Sequence, residues 1–249
     1  MTARTKIVVI GATSLIAEHC CRLWVQRGPV DLVLVARDAP RTERIATDLR
    51  VRGPGSTVEV MTADFTDAKD VARVADVTTA ASPVDVVLIA HGFLPEQKLN
   101  EDIEFCRDTL VINAVSPALF AEAFAGHFAK ANRGTIAIIG SVAGDRGRKV
   151  NYTYGASKGL LSRYAEGLDH RFAGTGVSVV LLKPGPTDTP MAAGHKAKGR
   201  KLASAEDVAH TIVRGIDAKK FVVYAPPFWQ FIMLIVRHLP RFVFNRLNI

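Results

Sequence analysis

A tyrosine and a lysine stand four residues apart in the segment YTYGASKG, as Tyr154 and Lys158. If this segment is helical, the two side chains share one face, because residues four apart are neighbours on a helix surface. An ammonium group beside a phenol favours the phenolate and lowers a phenol pKa that is normally about 10. The spacing therefore predicts that Tyr154 donates a proton in acid catalysis, although the pair taken alone also fits an exposed helix surface.

Hydroxyl groups follow the two apolar runs that flank this segment. Ser141 comes directly after GTIAIIG, where its hydroxyl is suited to bonding a substrate oxygen. Downstream, the run VSVVLLK leads into PGPTDT, which contains Pro184, Gly185, Thr187 and Thr189. Open α/β sheets bind ligands at the carboxyl ends of their strands. We therefore expect these residues to lie around one pocket.

The first apolar run enters a turn at Gly11, in IGATSLIAEHC, and a helix-like segment follows. A dinucleotide pyrophosphate binds well at such a helix N-terminus, because unpaired backbone N–H groups point at it. Only Gly11 of the expected glycines is present, and Leu15 and Ala17 occupy the later positions. The turn alone fits a cofactor site and an ordinary strand-to-helix connection equally well.

The elements that must position these residues alternate along the chain. Helix-length segments separate six apolar, β-branched runs: KIVVI, DLVLVA, VEVMTAD, VDVVLIA, GTIAIIG and VSVVLLKPG. Strands that alternate with helices predict βαβ units and a parallel sheet covered on both faces. We predict an α/β fold with a Rossmann-type doubly wound parallel sheet. It forms a single domain over residues 1–227, followed by an amphipathic C-terminal tail over residues 228–249.

Composition narrows the classes of function. The 249 residues carry a net charge of +8, with a sequence pI of about 9.6, which suggests an anionic partner. Three cysteines lack the spacing of a metal site or a disulfide framework, so we expect no metal and a cytoplasmic location. The basic residues do not line one helix with interleaved aromatics, which argues against nucleic acid as a partner. The tail lacks ~20 uninterrupted apolar residues, so a transmembrane span is not expected there.

Taken in order, these motifs resemble the short-chain dehydrogenase/reductase family over nearly the whole chain. The matching positions are Gly11, Asp64, IAHG at 89–92, Asn113 in VINAVSP, Ser141, YGASK and PGPTDT. The resemblance implies that Tyr154 protonates a carbonyl oxygen as hydride arrives from a nicotinamide, and that Ser141 holds this oxygen. It implies that Lys158 binds the nicotinamide ribose and tunes Tyr154, and that Asn113 positions a water in the proton relay.

The resemblance also implies a set of cofactor contacts. They are Gly11, Thr13, Ser14, Leu15, Ile16, Arg37, Asp64, Phe65, Ala90, Gly92, Tyr154, Lys158, Pro184, Gly185, Thr187 and Thr189. The second run ends in Ala36 and Arg37 instead of an acidic residue, and an arginine there can pair with a 2′-phosphate. We therefore expect NADPH in preference to NADH. Leu15 and His91 depart from the family pattern, and we interpret His91 as a local packing residue.

Two basic loops flank the predicted pocket. Arg146, Arg148 and Lys149 lie in GDRGRKVN, and we predict that they contact the substrate; the second loop contains His195, Lys196, Lys198, Arg200 and Lys201. Clustered guanidinium and ammonium groups suit a phosphate. For most of the lysines the alternative is a solvated loop charge.

The tail FWQFIMLIVRHLPRFVFNRLNI places a narrow polar stripe beside a wide apolar face if it is helical, with Pro240 as a kink. Such a helix suits a membrane interface with Trp229 near the headgroups, or an arm packed on another subunit of a homo-oligomer. The tail, GDRGRKVNYTYGASKG and VVYAPPFW are similar to decaprenylphosphoryl-2-keto-arabinose reductases. That resemblance implies a polyprenyl-phosphate keto-sugar substrate, a flavin-dependent oxidase as partner and a location peripheral to the inner membrane face. A generic carbonyl or 3-oxoacyl reductase, or a non-catalytic NADP-sensing protein, is the alternative.

Overall fold

The computed structural model describes residues 4–94, 102–192 and 202–247. Within these residues one parallel sheet of seven strands has the order β3-β2-β1-β4-β5-β6-β7. The strands are β1 Thr5–Ile10, β2 Val30–Ala36, β3 Thr57–Thr62, β4 Val86–Ile89, β5 Gly134–Ile139, β6 Val177–Pro184 and β7 Val222–Ala225. The predicted doubly wound parallel sheet is confirmed. Strand β7, which has only four residues, was not among the predicted runs.

Helices cover both faces of the sheet. They are α1 Leu15–Arg27, α2 Ala39–Arg52, α3 Ala68–Ala80, α4 Ile103–Leu110, α5 Ser116–Ala131, α6 Tyr152–Arg171, α7 Ala205–Asp217, α8 Trp229–His238 and α9 Arg241–Phe244. Side chains of one strand alternate between the faces: in β1, Ile7 and Val9 join the core under α1, α2 and α7, while Val8 and Ile10 join the core under α3, α5 and α6. Burial on both faces explains the continuous apolar strands.

The segment from α4 through α5 explains how Asn113 reaches the sheet edge. A π-helical turn, Val111–Val115, joins the two helices and contains Asn113, which is fully buried. Residues 103–131 are long and apolar enough to cross a membrane by length and composition alone. However, Phe120, Phe124 and Phe128 of α5 are buried in the core. Core packing therefore accounts for the apolar composition of this segment.

All strands run the same way, so their carboxyl ends share one edge. That edge carries the turn after β1, the segment after β4, the turn after β5 and the PGPTDT segment after β6. The chain reverses its direction of winding between β1 and β4, which are neighbours in the sheet. A crevice at such a switch point is where doubly wound sheets bind ligands.

Candidate active site and cofactor cleft

The side chains of Tyr154 and Ser141 are hydrogen-bonded to each other at the carboxyl edge of the sheet. Lys158 lies one helical turn beyond Tyr154 and is 3% exposed, so its chain runs under the site. Its Nζ donates to the carbonyl oxygen of Ile139 at 3.0 Å and lies 6.0 Å from the centre of the Tyr154 ring. The structure thus brings together three of the four residues predicted to be catalytic.

Two close contacts set the position of Ser141 relative to helix α6. Ser141 begins a short 3₁₀ turn, Val142–Gly144, and its Oγ accepts a hydrogen bond from the N–H of Ala143 at 3.1 Å. A Cβ on Gly144 would lie 2.6 Å from the carbonyl oxygen of Lys158, and one on Gly155 would lie 3.0 Å from that of Ala143. Because neither glycine has a side chain, the turn packs directly on the helix that carries Tyr154.

The pKa of Tyr154 departs from the prediction. Burial raises it, and this effect exceeds the lowering by the hydrogen bond from Ser141 and by the charge of Arg148. Burial also lowers the pKa of Lys158 to about 8. The predicted lowering by a nearby ammonium is absent, because both groups are desolvated and Lys158 is directed at Ile139. Tyr154 is therefore in its protonated form near neutral pH, which is the form that a proton donor needs.

Asn113 holds the segment that follows β4. Its Oδ1 accepts from the N–H of Phe93 at 2.7 Å, and its Nδ2 donates to the carbonyl of Phe93 at 2.8 Å. Gly92 has φ of 153°, and a Cβ there would lie 2.7 Å from Asn113 Oδ1. The amide of Asn113 is thus committed to the backbone, so any contact with a relay water falls to the backbone of its π turn.

The turn after β1 fits a pyrophosphate. Gly11 has φ of 83°, and a Cβ there would lie 2.6 Å from the N of His91, so only glycine is accommodated. Ser14 caps helix α1 without a side-chain hydrogen bond, and Leu15 and Ile16 form its first turn. The N–H groups of a first helical turn have no acceptor within the helix and can bind an anion. Within the turn, the carbonyl oxygen of Thr13 accepts a hydrogen bond from Arg41 Nη2 at 3.0 Å.

A cleft of ≈ 620 Å³ lies at the ends of β2 and β3, and it is lined by Arg37, Thr62, Ala63, Asp64, Thr66, Asp70 and Arg73. Asp64 Oδ1 accepts from both the N–H and the hydroxyl of Thr66. These bonds, together with the charge of Arg37, lower the pKa of Asp64. Arg37 therefore faces an ionised carboxylate across the cleft.

Phe65 and His91 pack inward beside this cleft. The Phe65 side chain is 5% exposed, and its ring lies 4.7 Å from that of His91. His91 Nε2 is hydrogen-bonded to Ser116 Oγ at 2.8 Å, and burial lowers the pKa of His91 to about 3. Phe65, predicted to contact the cofactor, directs its side chain into the core, so only its backbone remains available.

The PGPTDT segment forms the other wall of the site. Pro184 ends β6, and the N–H of Gly185 donates to the carbonyl of Ala225 at 2.9 Å. The Thr187 hydroxyl donates to the carbonyl of Gly185 at 2.9 Å, and the Thr189 hydroxyl donates to the carbonyl of Thr187 at 3.4 Å. Both hydroxyls therefore serve the turn itself. Ala90 lies at the same edge, where its N–H donates to the carbonyl of Ile10 at 2.8 Å.

Arg146 contacts the C-terminal tail, which the sequence did not indicate. Its Nη1 donates to the carbonyls of Val236 at 2.5 Å and Leu239 at 2.7 Å, and its guanidinium lies 3.8 Å from the centre of the Phe244 ring. The structure thus uses Arg146 to hold the tail, instead of the predicted phosphate contact. Arg148 lies close enough to lower the pKa of Tyr154, and Lys149 is exposed. The basic residues at 195–201 lie outside the described part of the chain.

The tail itself lies against the site. A Cβ on Gly185 would be 2.0 Å from Trp229 Nε1, so the indole covers this glycine, whereas the sequence predicted Trp229 near lipid headgroups. Met233, one turn further along α8, is 3% exposed. Pro240 separates α8 from α9 at the predicted kink. Helix α8 therefore docks through a narrow face and leaves its other apolar side chains outside.

Comparisons with known proteins identify the family to which the chain belongs. The family model described as short chain dehydrogenase matches residues 5–199. Uncharacterised oxidoreductases of Streptomyces coelicolor and Mycobacterium tuberculosis are each 30% identical to the chain. The first alignment covers 97% of the chain and 95% of the relative, and the second covers 99% and 98%. The chain belongs to the short-chain dehydrogenase family, and it is an oxidoreductase acting on CH–OH or C=O groups.

A solved structure shows the same fold. The short-chain dehydrogenase from Sphingobium yanoikuyae, in complex with NADPH, has a TM-score of 0.82 and 23% identity. The match covers 95% of this chain and 97% of that one. At this identity the likeness concerns the arrangement of strands and helices.

Proposed function

We propose that the protein is an NADPH-dependent reductase of a keto-sugar carried on a polyprenyl phosphate. The observation that carries the carbonyl reduction is the hydrogen bond between Tyr154 and Ser141 above the buried Lys158. A protonated phenol, a second hydroxyl and a buried cation at one point suit the protonation of a carbonyl oxygen. The reaction would be the reductive half of a 2′-epimerisation, and a flavin-dependent oxidase would supply the ketone.

The residues fit a dinucleotide that carries an extra phosphate. The turn at Gly11 and the first turn of α1 would hold the pyrophosphate, and the cleft beside Arg37 would hold the adenosine. Arg37 suits a 2′-phosphate because a guanidinium pairs with phosphate. The position after the end of β2, where an acidic side chain would accept the ribose hydroxyls of NADH, holds this arginine instead. The NADPH complex of the Sphingobium yanoikuyae enzyme supports the same choice. When bound, the cofactor supplies a hydride.

The chain's own groups would manage the substrate oxygen. Ser141 Oγ accepts from the N–H of Ala143, so its single hydroxyl proton, which is directed at Tyr154 in this structure, would turn to the substrate oxygen when substrate binds. Tyr154 would donate its proton to the same oxygen. The positive charge of Lys158, buried nearby, would stabilise the phenolate that forms. Asn113 would keep the segment after β4 in place, and the backbone of its π turn would hold a relay water.

The lipid carrier is supported by the outer face of the tail. Large apolar side chains are exposed there: Phe231 is 70% exposed, Leu234 58%, Ile235 64% and Phe242 68%. Arg241 and Arg246 are exposed beside them. A contiguous apolar face with neighbouring cations suits the interface of an anionic membrane, which would place the enzyme on the inner face of that membrane. Because Trp229 of the same helix covers Gly185, the site would open next to the lipid surface.

A generic carbonyl or 3-oxoacyl reductase is the second candidate, and the same apolar face favours it. That face would then pack against another copy of the chain in a homo-oligomer. A non-catalytic NADP-sensing protein has less support, since it would have no need for the hydrogen-bonded Tyr154 and Ser141.

The test compares two substrates, and it compares one double variant of the tail with a matched control. Purified protein with NADPH should oxidise the cofactor when given a polyprenyl-phosphoryl 2-keto-pentose, with a kcat/KM well above that for a water-soluble ketone. Phe231→Ser with Ile235→Ser should reduce sedimentation with phosphatidylglycerol vesicles, and Val51→Ser, at a position 77% exposed on α2, is the matched control. Reduction of simple ketones alone, together with loss of oligomers in the tail variant, would establish the second candidate.

A further inference from the structure

A buried ion pair lies directly behind the turn that carries Ser141. Asp145, the residue after that turn, accepts from Lys183 Nζ at 2.5 Å through Oδ1 and from the Tyr224 hydroxyl at 2.8 Å through Oδ2. The side chains of Asp145 and Lys183 are 2% and 7% exposed. A buried pair of this kind is costly to break, because removing one partner leaves a charge without compensation. The position of Asp145 is therefore strongly fixed.

The partners of Asp145 belong to the rigid sheet. Lys183 in β6 and Tyr224 in β7 are paired residues in the register of the two strands, so their side chains stand side by side. Lys183 directly precedes Pro184 and Gly185 in the other wall of the site. The Ser141 turn is thus fixed twice, by α6 through Gly144 and by the sheet through Asp145. Asp145 links both walls of the site.

The tail joins the same network from outside. Arg146, next to Asp145, donates to carbonyls at the end of helix α8. Arg237 of α8 is hydrogen-bonded to Tyr224, and this bond opposes the raising of the Tyr224 pKa by burial and by Asp145. A continuous chain of contacts therefore runs from α8 through Arg237, Tyr224 and Asp145 to the turn of Ser141.

We propose that Asp145 is a positioning residue for Ser141, and that helix α8 supports this position through Arg146 and Arg237. The inference rests on the proposed carbonyl reduction, in which Ser141 and Tyr154 meet the substrate oxygen. The position of the Ser141 hydroxyl relative to Tyr154 then depends on the docking of the tail. Displacing α8 or removing the charge of Asp145 moves the Ser141 hydroxyl away from Tyr154.

The experiment follows Ser141 by two readouts. In Asp145→Asn, kcat for a water-soluble ketone should fall at least about tenfold, with little change in KM. This loss should be smaller than the 10²–10³-fold loss of kcat that is expected when a hydrogen-bond donor to the substrate oxygen is itself removed. The pKa of Tyr154, followed by ¹³C-tyrosine NMR without substrate, should rise, because the hydrogen bond from Ser141 lowers it. Tyr224→Phe and Arg237→Gln keep the ion pair intact, and they should change both quantities in the same direction by a smaller factor.

The control is another carboxylate in an ion pair, partly buried and far from the site. Asp85 pairs with Arg133 and accepts from the N–H of Lys6 at the amino end of β4, so Asp85→Asn should lower stability without changing kcat or the pKa of Tyr154. An unchanged Tyr154 pKa in both Asp145→Asn and Tyr224→Phe would overturn the inference. If Asp145→Asn does not fold, Tyr224→Phe and Arg237→Gln decide. The NMR readout needs no substrate. If the wild-type protein reduces no ketone, the proposed function is therefore refuted, but the inference about Asp145 can still be tested.

Discussion

Tyr154 and Ser141 are hydrogen-bonded across two different elements, and Gly144 and Gly155 make that distance short. The bond lowers the pKa of Tyr154, while burial raises it by more. Burial thus keeps the Tyr154 phenol neutral, while the neighbouring Ser141 hydroxyl stabilises the phenolate through its hydrogen bond. A proton donor gains from both conditions, since it must hold the proton before the reaction and release it during the reaction.

Tyr154→Phe should abolish turnover while leaving nucleotide binding nearly intact. Removing the phenolic hydroxyl removes the proton donor, and we expect kcat to fall by about 10²–10⁴. Steady-state oxidation of NADPH and fluorescence titration of the nucleotide measure the two effects. Tyr152→Phe, at a position 49% exposed on the same helix, is the matched control and should retain wild-type activity. Full activity of Tyr154→Phe would exclude Tyr154 as the acid.

Lys158→Met should stabilise the protein while it impairs catalysis. The folded pKa of about 8 lies below the ordinary 10.5, so the folded state pays for protonation below pH 8, and this cost disappears as the pH rises to 10.5. The shift corresponds to about 3 kcal/mol near pH 7, from which the lost hydrogen bond to Ile139 subtracts about 1 kcal/mol. Urea unfolding at pH 7 and pH 10 checks this, and the gain should be larger at pH 7.

His91→Phe should flatten the acid side of the stability profile. The pKa of His91 is about 3 in the folded protein against 6.5, so the unfolded chain binds more protons, and stability is lost as the pH falls from 6.5 towards 3. At pH 4.5 this amounts to about 2–3 kcal/mol, which the variant should not lose. Phenylalanine keeps the ring packing against Phe65 and Phe120. The free energy of unfolding is measured at pH 6.5 and pH 4.5 for the wild type and for His91→Phe. An equal loss between the two pH values in both proteins would contradict the prediction.

Arg37→Gln should change the choice of cofactor. Loss of the guanidinium removes the group that would pair with a 2′-phosphate, so the KM for NADPH should rise about 10- to 150-fold, as expected for a charge-assisted bond of roughly 1.5–3 kcal/mol. The KM for NADH should stay nearly unchanged. Arg44→Gln, an exposed position on the neighbouring helix α2, is the control. Equal effects on both cofactors would show that Arg37 does not contact the extra phosphate.

The sequence was informative where the signal is local. Alternating apolar runs predicted the parallel sheet, and the four-residue spacing of Tyr154 and Lys158 predicted that they share a helix. The role of Arg146 was not predictable, because its partners in α8 are remote in sequence and a loop arginine looks the same in either role. The direction of the Tyr154 pKa also required the fold, since desolvation depends on the residues that cover the phenol.

The Asp145 network left one trace in the sequence. Lys183 interrupts the apolar strand VSVVLLKP, and a lysine in a buried strand calls for an anionic partner. Nothing in the sequence identifies that partner as Asp145 or adds Tyr224, because strand pairing decides which side chains meet. Phe65 shows the same limit: its neighbours match the family pattern, and only the fold shows that its ring points into the core.

The close packing of Gly11 on His91 has a practical consequence for experiments in solution. The imidazole stays neutral down to about pH 3, so its carbon-bound proton resonances are insensitive to the choice of buffer pH near neutrality. A ligand seated on the turn at Gly11 would lie next to the backbone of His91, whose N is the atom nearest to the position of a Cβ on Gly11, and its binding should therefore shift the resonances of His91. His91 is therefore a built-in spectroscopic probe of nucleotide occupancy, and comparison with His91→Phe assigns its signal among the 7 histidines of the chain.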